Sequence, residues 1–358
     1  MRRRPRVVVL AVHPARSAAT RLRAQQYAPH LAASGLELVL WTFFDERAMS
    51  HWLGTRQRDR VLAAVRGLAR VPRLLPMLRG AAVVVVQREA MPFGPPVLEF
   101  LAGWRRMLVW DVDDSIWESY LSPTAGYVPR WVRATGNKYV RLARRADEVW
   151  AGSQTLADWC RKHSKKVQIM PTVVEVPIDR PVSTAERTVS WIGSHSTGIF
   201  MESVLPAILA VVPPPEVIVV GARPRVPLGA AVDVRPWTIE EERRTLAGTR
   251  VGLYPVDRGH PLAEGKCGLK AILYMAHGIP CVLTPTTPNR AVVNDGEEGW
   301  YASTHEEWRD RVGMLLDDAD MWERMSTAAH ARALEDFSVA RWGPVVASRL
   351  ALLADAGR

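Results

Sequence analysis

The chain has 358 residues, 48% of them hydrophobic and 23% charged, so it is long enough for two ordinary domains and too apolar to be disordered. No apolar run reaches the length of a membrane span, and Arg2, Arg3, Arg4 and Arg6 lead only into the short stretch 7–12, so a cytoplasmic protein without a cleaved signal is expected. The net charge of +10 is lopsided: residues 1–180 hold 29 basic and 15 acidic side chains, the remainder 18 and 22. Such asymmetry points to an anionic partner for the first half, such as a phosphorylated molecule, an acidic membrane surface or nucleic acid; the alternative is a chain that uses Arg as its general surface residue. No RNA or DNA motif accompanies the charge, so no nucleic-acid partner is expected. Cys160, Cys267 and Cys281 are widely spaced and odd in number, supporting neither a disulfide framework nor a structural zinc site.

Along the chain, apolar runs of strand length alternate with helical periodicity. The run 7–12 precedes a predicted helix over 20–34 with Gly35 as its stop, and further strands are expected at 38–42, 82–86, 107–110, 148–151 and 167–170. The chain turns polar and proline-bearing around 179–188. A second series then follows at 189–192, 217–220, 232–235, 251–254, 281–283 and 299–302, with helices predicted from 306, over 317–333 and over 337–353. This alternation predicts an α/β protein with two Rossmann-like doubly wound domains, 1–182 and 183–336, and a last helix over 337–358.

The richest segment is Glu264-Gly-Lys-Cys-Gly-Leu-Lys-Ala-Ile-Leu-Tyr-Met-Ala-His-Gly-Ile-Pro280. A glycine-bearing loop enters a helix after the strand at 251–254, so backbone N–H groups and the positive end of the helix dipole meet Lys266 and Lys270, four residues apart. A diphosphate fits that arrangement. The alternative is a strand-to-helix turn whose lysines are only solvated.

In its ordered segments the chain resembles the retaining group-one glycosyltransferases of GT-B fold, glycosyltransferase family four-like, across nearly its full length. The segments are Arg21-Leu-Arg23 with Tyr27 and Leu31, Val86-Gln-Arg-Glu89, Asp111-Val-Asp-Asp114, Glu148-Val-Trp-Ala-Gly-Ser153, Met170-Pro-Thr172, Ser190-Trp-Ile-Gly-Ser194, Gly265-Lys-Cys-Gly-Leu-Lys270, Tyr274-Met-Ala-His-Gly-Ile-Pro280 and Asp295-Gly-Glu-Glu-Gly299. The resemblance implies two domains facing a central cleft. The second would bind a nucleotide-sugar such as a UDP- or GDP-sugar, the first an acceptor, with a hexosyl group transferred with retention and without a metal or other cofactor. The acceptor is expected to be a small or lipid-linked molecule, neutral or anionic, with peripheral membrane contact through the basic first domain, in natural-product or cell-surface glycan assembly. The last helix would return to the first domain.

By that resemblance Lys266 and Lys270 stabilise the departing diphosphate, aided by amides near Gly265, Cys267 and Gly268. The family often carries Arg and Lys after the first strand of the second domain. Here Gly193-Ser194-His195-Ser-Thr197 has neither, leaving hydroxyls and amides as phosphate contacts. Family members also present two glutamates eight positions apart around the donor, and those places fall on Gly265 and Leu273. Leucine accepts no hydroxyl hydrogen bond, so the usual ribose clamp is missing. Glu264, one position early, is a candidate for the sugar-facing role, its alternative being a surface loop carboxylate. These departures leave open a noncatalytic GT-B partner or regulatory protein. Trp237 is a candidate to stack on the nucleobase, or is a packing residue. Asn289 is placed near the donor phosphates, and Arg290 beside it is equally readable as solvated.

In the first domain the carboxylates of Asp111-Val-Asp-Asp114 follow a strand and are expected at its ligand edge. They are read as orienting an acceptor hydroxyl or handling its proton, with Asp113 as the catalytic candidate. Capping of the next helix, a Mg²⁺ site like the Asp-x-Asp of GT-A enzymes, and a nucleophile like that of haloacid dehalogenases are the alternatives. Arg88, Arg16, Arg21 and Arg23 converge on the same edge as candidate contacts for an anion, or are solvated. His13 and His195 end strands and are candidate proton-transfer groups, or polar loop residues.

Overall fold

The computed structural model describes residues 4–54, 56–119, 137–181, 187–194, 197–222, 232–260 and 262–357. The chain forms two compact units, one of residues 1–172 with 342–358 and one of residues 173–341. Each holds a six-stranded parallel sheet with helices between the strands.

In the first unit the strands are β1 (Arg6–Ala11), β2 (Glu37–Thr42), β3 (Ala81–Gln87), β4 (Met107–Val112), β5 (Glu148–Ala151) and β6 (Val167–Ile169), in the order β2-β1-β3-β4-β5-β6. Helix coverage on both faces explains why Val7, Val8 and Leu10 of β1 and Val83, Val84 and Val86 of β3 are all inaccessible, so the strands read as unbroken apolar runs. Winding reverses between β1 and β3, and their carboxyl ends deliver His13 and Arg88 side by side at a topological switch point. The helix predicted over 20–34 is instead Ala18–Arg23, a 3₁₀ turn Gln25–Tyr27 and a second helix Ala28–Ala33. Pro29 lacks an N–H and is tolerated only in a first turn, so a new helix must begin there.

The second unit contains β7 (Thr188–Ile192), β8 (Glu216–Val220), β9 (Val232–Arg235), β10 (Val251–Tyr254), β11 (Cys281–Leu283) and β12 (Gly299–Tyr301), ordered β12-β11-β10-β7-β8-β9. Val189, Trp191, Val217, Val219, Val251 and Leu253 form its core with Ile208, Val312 and Leu315 from flanking helices. The switch point lies between β7 and β10. There the Leu269–Ala276 helix is fastened to the sheet by Tyr274, whose hydroxyl donates to Ser190 O (3.0 Å) and accepts from Ile192 N (3.2 Å). The ring lies so close to β10 that a Cβ on Gly252 would stand 2.5 Å from it.

The chain passes from the first unit to the second after residue 172, ten residues before the boundary at 182 that composition suggested. The segment after β6 is bonded within the second unit: Val174 N donates to Phe337 O (2.9 Å), His330 Nε2 sits 2.9 Å from Pro177 O, and Arg180 reaches Ser326 Oγ (2.7 Å). At the other end the Val339–Ala356 helix supplies Arg349, which forks onto the buried Glu148 at 2.9 and 3.0 Å within the first unit.

Candidate functional site

Four residues before Tyr274, on the same helix face, stands Lys270. Its Nζ lies 4.9 Å from the Trp191 ring centroid and 5.0 Å from that of Tyr254, so the ammonium rests between aromatic faces at the ends of β7 and β10. Burial first, and the charge of Lys266 second, pull its pKa down to about 7. The helix begins with Gly268 in the left-handed region (φ 67°) and has no side-chain cap. Its first-turn N–H groups therefore open on the same side as the two lysines, the arrangement that receives anions.

Glycines shape the space around Lys270. A Cβ on Gly193 would lie 2.8 Å from Lys270 Cε and 2.5 Å from the Trp191 ring, so only glycine leaves room for the lysine stem. Gly221, at the end of β8 with φ 84°, passes so close that a Cβ would stand 2.1 Å from Gly193 O and 3.1 Å from Trp237 Cβ. Gly221→Ala is expected to cost at least ~2 kcal/mol through left-handed strain and this clash. A urea unfolding midpoint equal to wild type would refute that.

Trp237 is half-buried and oriented by Nε1–H donation to the buried Glu242 (2.9 Å). Gly193, Gly221, Trp237 and Lys270 thus converge on one sheet edge. Ser194 O accepts from Thr197 N (3.0 Å), forming the turn after β7; His195 lies outside the described residues. Gly265 and Cys267 are buried in the loop and Lys266 is partly exposed.

Two donor-side candidates have other engagements. Glu264 Oε2 accepts from Thr287 N (2.9 Å), the first residue of the Thr287–Val292 helix, so this carboxylate neutralises a helix N-terminus and ties the lysine loop to the segment after β11. Asn289 is 1% exposed and its Nδ2 donates to Thr284 O (2.8 Å), while Oδ1 is buried and has no partner among the described residues. Its amide braces the loop from within. Leu273 lies on the Leu269–Ala276 helix, and Arg290 stacks over Tyr301 at 4.7 Å.

In the first unit, β4 runs two residues further than expected and takes Asp111 into the sheet, opposite Gln87 and Trp150. Asp111, expected at the ligand edge to meet an acceptor, is 1% exposed and both its oxygens bind the guanidinium of Arg23, whose Nη1 also donates to Met170 O (2.8 Å). Burial alone would lower the Arg23 pKa, but the Asp111 carboxylate more than offsets it and raises it.

Asp113 lies just past the carboxyl end of β4. Arg88 binds it through Nε (2.5 Å) and Nη2 (3.0 Å) and reaches Asp114 at 3.8 Å. Burial would raise the Asp113 pKa, but Arg88 outweighs burial and holds it below the usual carboxylate range. Arg88 has φ 59°, its N–H donates to Asp111 O (2.7 Å), and its own O accepts from Trp110 Nε1 (2.7 Å), so packing holds a backbone that a non-glycine residue rarely adopts. His13 adjoins them: burial first, then Arg88, pulls its pKa down to about 4, leaving a neutral imidazole at physiological pH. Arg21 is half-buried on the Ala18–Arg23 helix, and Arg16 is exposed in the loop after β1. Among the described residues no group of three or more His, Cys, Asp or Glu is placed to hold a metal ion.

The sequence reading missed Tyr274, Trp191, Tyr254 and Gly221. The first three sit in segments whose motif character was clear, but what brings them beside Lys270 or onto its helix is contact across the switch point. Gly221 follows an apolar strand, and that glycine was the available signal.

Residues 187–318 match the family described as Glycosyl transferases group 1. No curated protein matches the chain by sequence. Among solved structures, the chain is similar to sucrose-phosphate synthase from Thermosynechococcus elongatus (TM-score 0.74, 15% identity, 99% of this chain and 100% of that one). It is also similar to HepE from Anabaena, solved with UDP and glucose (TM-score 0.71, 14% identity, 97% and 99%), and to a glycosyltransferase from Rickettsia africae (TM-score 0.67, 10% identity, 99% of each chain). The fold is GT-B, and its second unit carries the group 1 match.

Proposed function

We propose that the chain is a retaining glycosyltransferase that moves a hexosyl group from a nucleoside-diphosphate donor to an acceptor hydroxyl without a metal. The observation that carries this reading is Lys270, a desolvated cation at the switch point of the second unit, beside an uncapped helix N-terminus and Lys266. Breaking a sugar–phosphate bond builds negative charge on the leaving diphosphate. Preorganised cations and N–H groups stabilise that charge as it forms, without reorganisation cost. Gly193, Ser194 and the loop 265–268 line the phosphate side, and Trp237 faces the base. With Leu273 in place of a carboxylate, the ribose has no anionic acceptor there, so discrimination among nucleotides rests on the base and diphosphate. The acceptor, small or lipid-linked, is assigned to the first unit, where Asp113, held ionised by Arg88, orients its hydroxyl beside neutral His13, with Asp114, Arg16 and Arg21 around it. Glu264 is assigned to the loop that carries the sugar rather than to proton transfer.

Calorimetric titration with UDP, GDP and the matching monophosphates tests this. A diphosphate is expected to bind more tightly than its monophosphate. Because the free Lys270 titrates near 7 and a bound diphosphate favours its ammonium form, binding above pH 7 must take up a proton. Affinity is therefore expected to be highest near neutrality and to fall by up to about tenfold per pH unit above it. No binding of either diphosphate, or an affinity flat from neutral to alkaline pH, overturns the assignment.

A further inference from the structure

The Gln57–Leu68 helix of the first unit is turned inside out. Its buried side is made of Ala63 and Gly67, and the latter sits so close to Phe43 that a Cβ would lie 2.2 Å from the ring. At 100° per residue, Val61, Leu62, Val65 and Leu68 fall on the opposite side, and they are 55, 55, 56 and 47% exposed. A surface helix of a globular protein ordinarily presents polar residues there, and single exposed aliphatics need no explanation, whereas a continuous stripe marks an interaction surface.

The charge around the stripe has one sign. Residues 56–79 contain seven arginines and a single carboxylate, Asp59. Arg58 projects within the stripe with its side chain 74% exposed, and Arg66 borders it, anchored to Asp45 (2.9 Å). We propose that this face docks on the surface of an anionic lipid bilayer. The four aliphatic side chains would enter the boundary between headgroups and acyl chains, while the arginines lay their stems along it and bind lipid phosphates. A second copy of the chain is a poorer occupant, because a two-fold contact through the stripe sets Arg58 of each copy against like charge. The stripe belongs to the first unit and Lys270 to the second, and the proposal does not depend on the donor reading; only its consequence does, that membrane attachment favours a lipid-linked acceptor.

Cosedimentation of the full chain, without any nucleotide, with vesicles of phosphatidylcholine alone or mixed with phosphatidylglycerol tests the proposal. Binding is expected to the mixed vesicles only, and to weaken at high salt. Leu62→Glu with Val65→Glu is expected to lower partitioning about tenfold or more, with an unchanged melting temperature because both positions are exposed. Leu62→Ser with Val65→Ser, which adds no charge, should lower it in the same direction. No binding to mixed vesicles, equal binding to phosphatidylcholine alone, or undiminished binding by the serine variant would each overturn the proposal. So would a dimer in sedimentation velocity that the same substitutions dissociate.

Discussion

Lys270→Met is expected to weaken nucleoside-diphosphate binding about 100-fold and to lower turnover by about 10²–10³-fold. Methionine has similar length and fills the space between Trp191 and Tyr254 with a thioether that suits aromatic neighbours, so the substitution removes charge while keeping the helix seated. The fold should not suffer. In the wild type the unfolded chain holds a proton on this residue that the folded chain sheds above pH 7. Wild-type stability should therefore rise as pH climbs from about 7 toward the ordinary lysine range, and the variant should lack that component. Thermal melts across pH, run beside the titrations, separate the two effects. Lys266→Ala, which removes a more exposed charge, should cost less, about tenfold in affinity. If Lys270→Met binds diphosphate as wild type does, the second unit does not use this cation for its ligand, and the proposed chemistry loses its main support.

Asp111→Asn should be the most destabilising single change in the first unit. It leaves Arg23, 7% exposed, with its charge facing a neutral amide inside the sheet, and removing one partner of a buried pair costs about 3–5 kcal/mol. Against a total stability of about 5–15 kcal/mol, that is a large fraction. Calorimetry should show the melting temperature of this unit falling by on the order of 10 °C. Replacing both partners, Arg23→Met with Asp111→Leu, should recover most of the loss, since no uncompensated charge then remains. A single variant that melts with the wild type would mean that water already reaches the pair. Asp113→Asn faces Arg88, whose side chain keeps 23% of its exposure, and should cost less than Asp111→Asn, about 1–3 kcal/mol in stability. Its effect is expected on acceptor use.

Much of this protein was readable residue by residue because burial writes a simple pattern. Strands covered on both faces must be apolar throughout, so β1, β3 and β8 stand out in the sequence, and the alternation with helical periods implies parallel sheets. The helix start after the lysine loop was readable for a similar reason: glycine, lysine and a helix start are local in sequence. Local signals failed wherever a role depends on partners far along the chain. Asp111 and Asp113 are two residues apart and chemically identical, yet one is consumed by Arg23, 88 residues away, and the other meets Arg88 at the sheet edge. Lys138 is likewise inaccessible, bound to Glu89 (2.9 Å) and near Glu99 (3.5 Å), a buried cluster that no sequence spacing announces.

The amino-acid order by itself determined two α/β units and a lysine-bearing loop that enters a helix after β10, since hydrophobic period, glycine placement and helix-start chemistry act over a few residues. Only the tertiary structure decided which cation is desolvated, which carboxylate is committed to a buried pair, and that an aliphatic stripe faces outward at 61–68. Those properties belong to the environment a side chain finally occupies, and burial and Coulomb interactions there are set by residues that the chain brings together from tens of positions away.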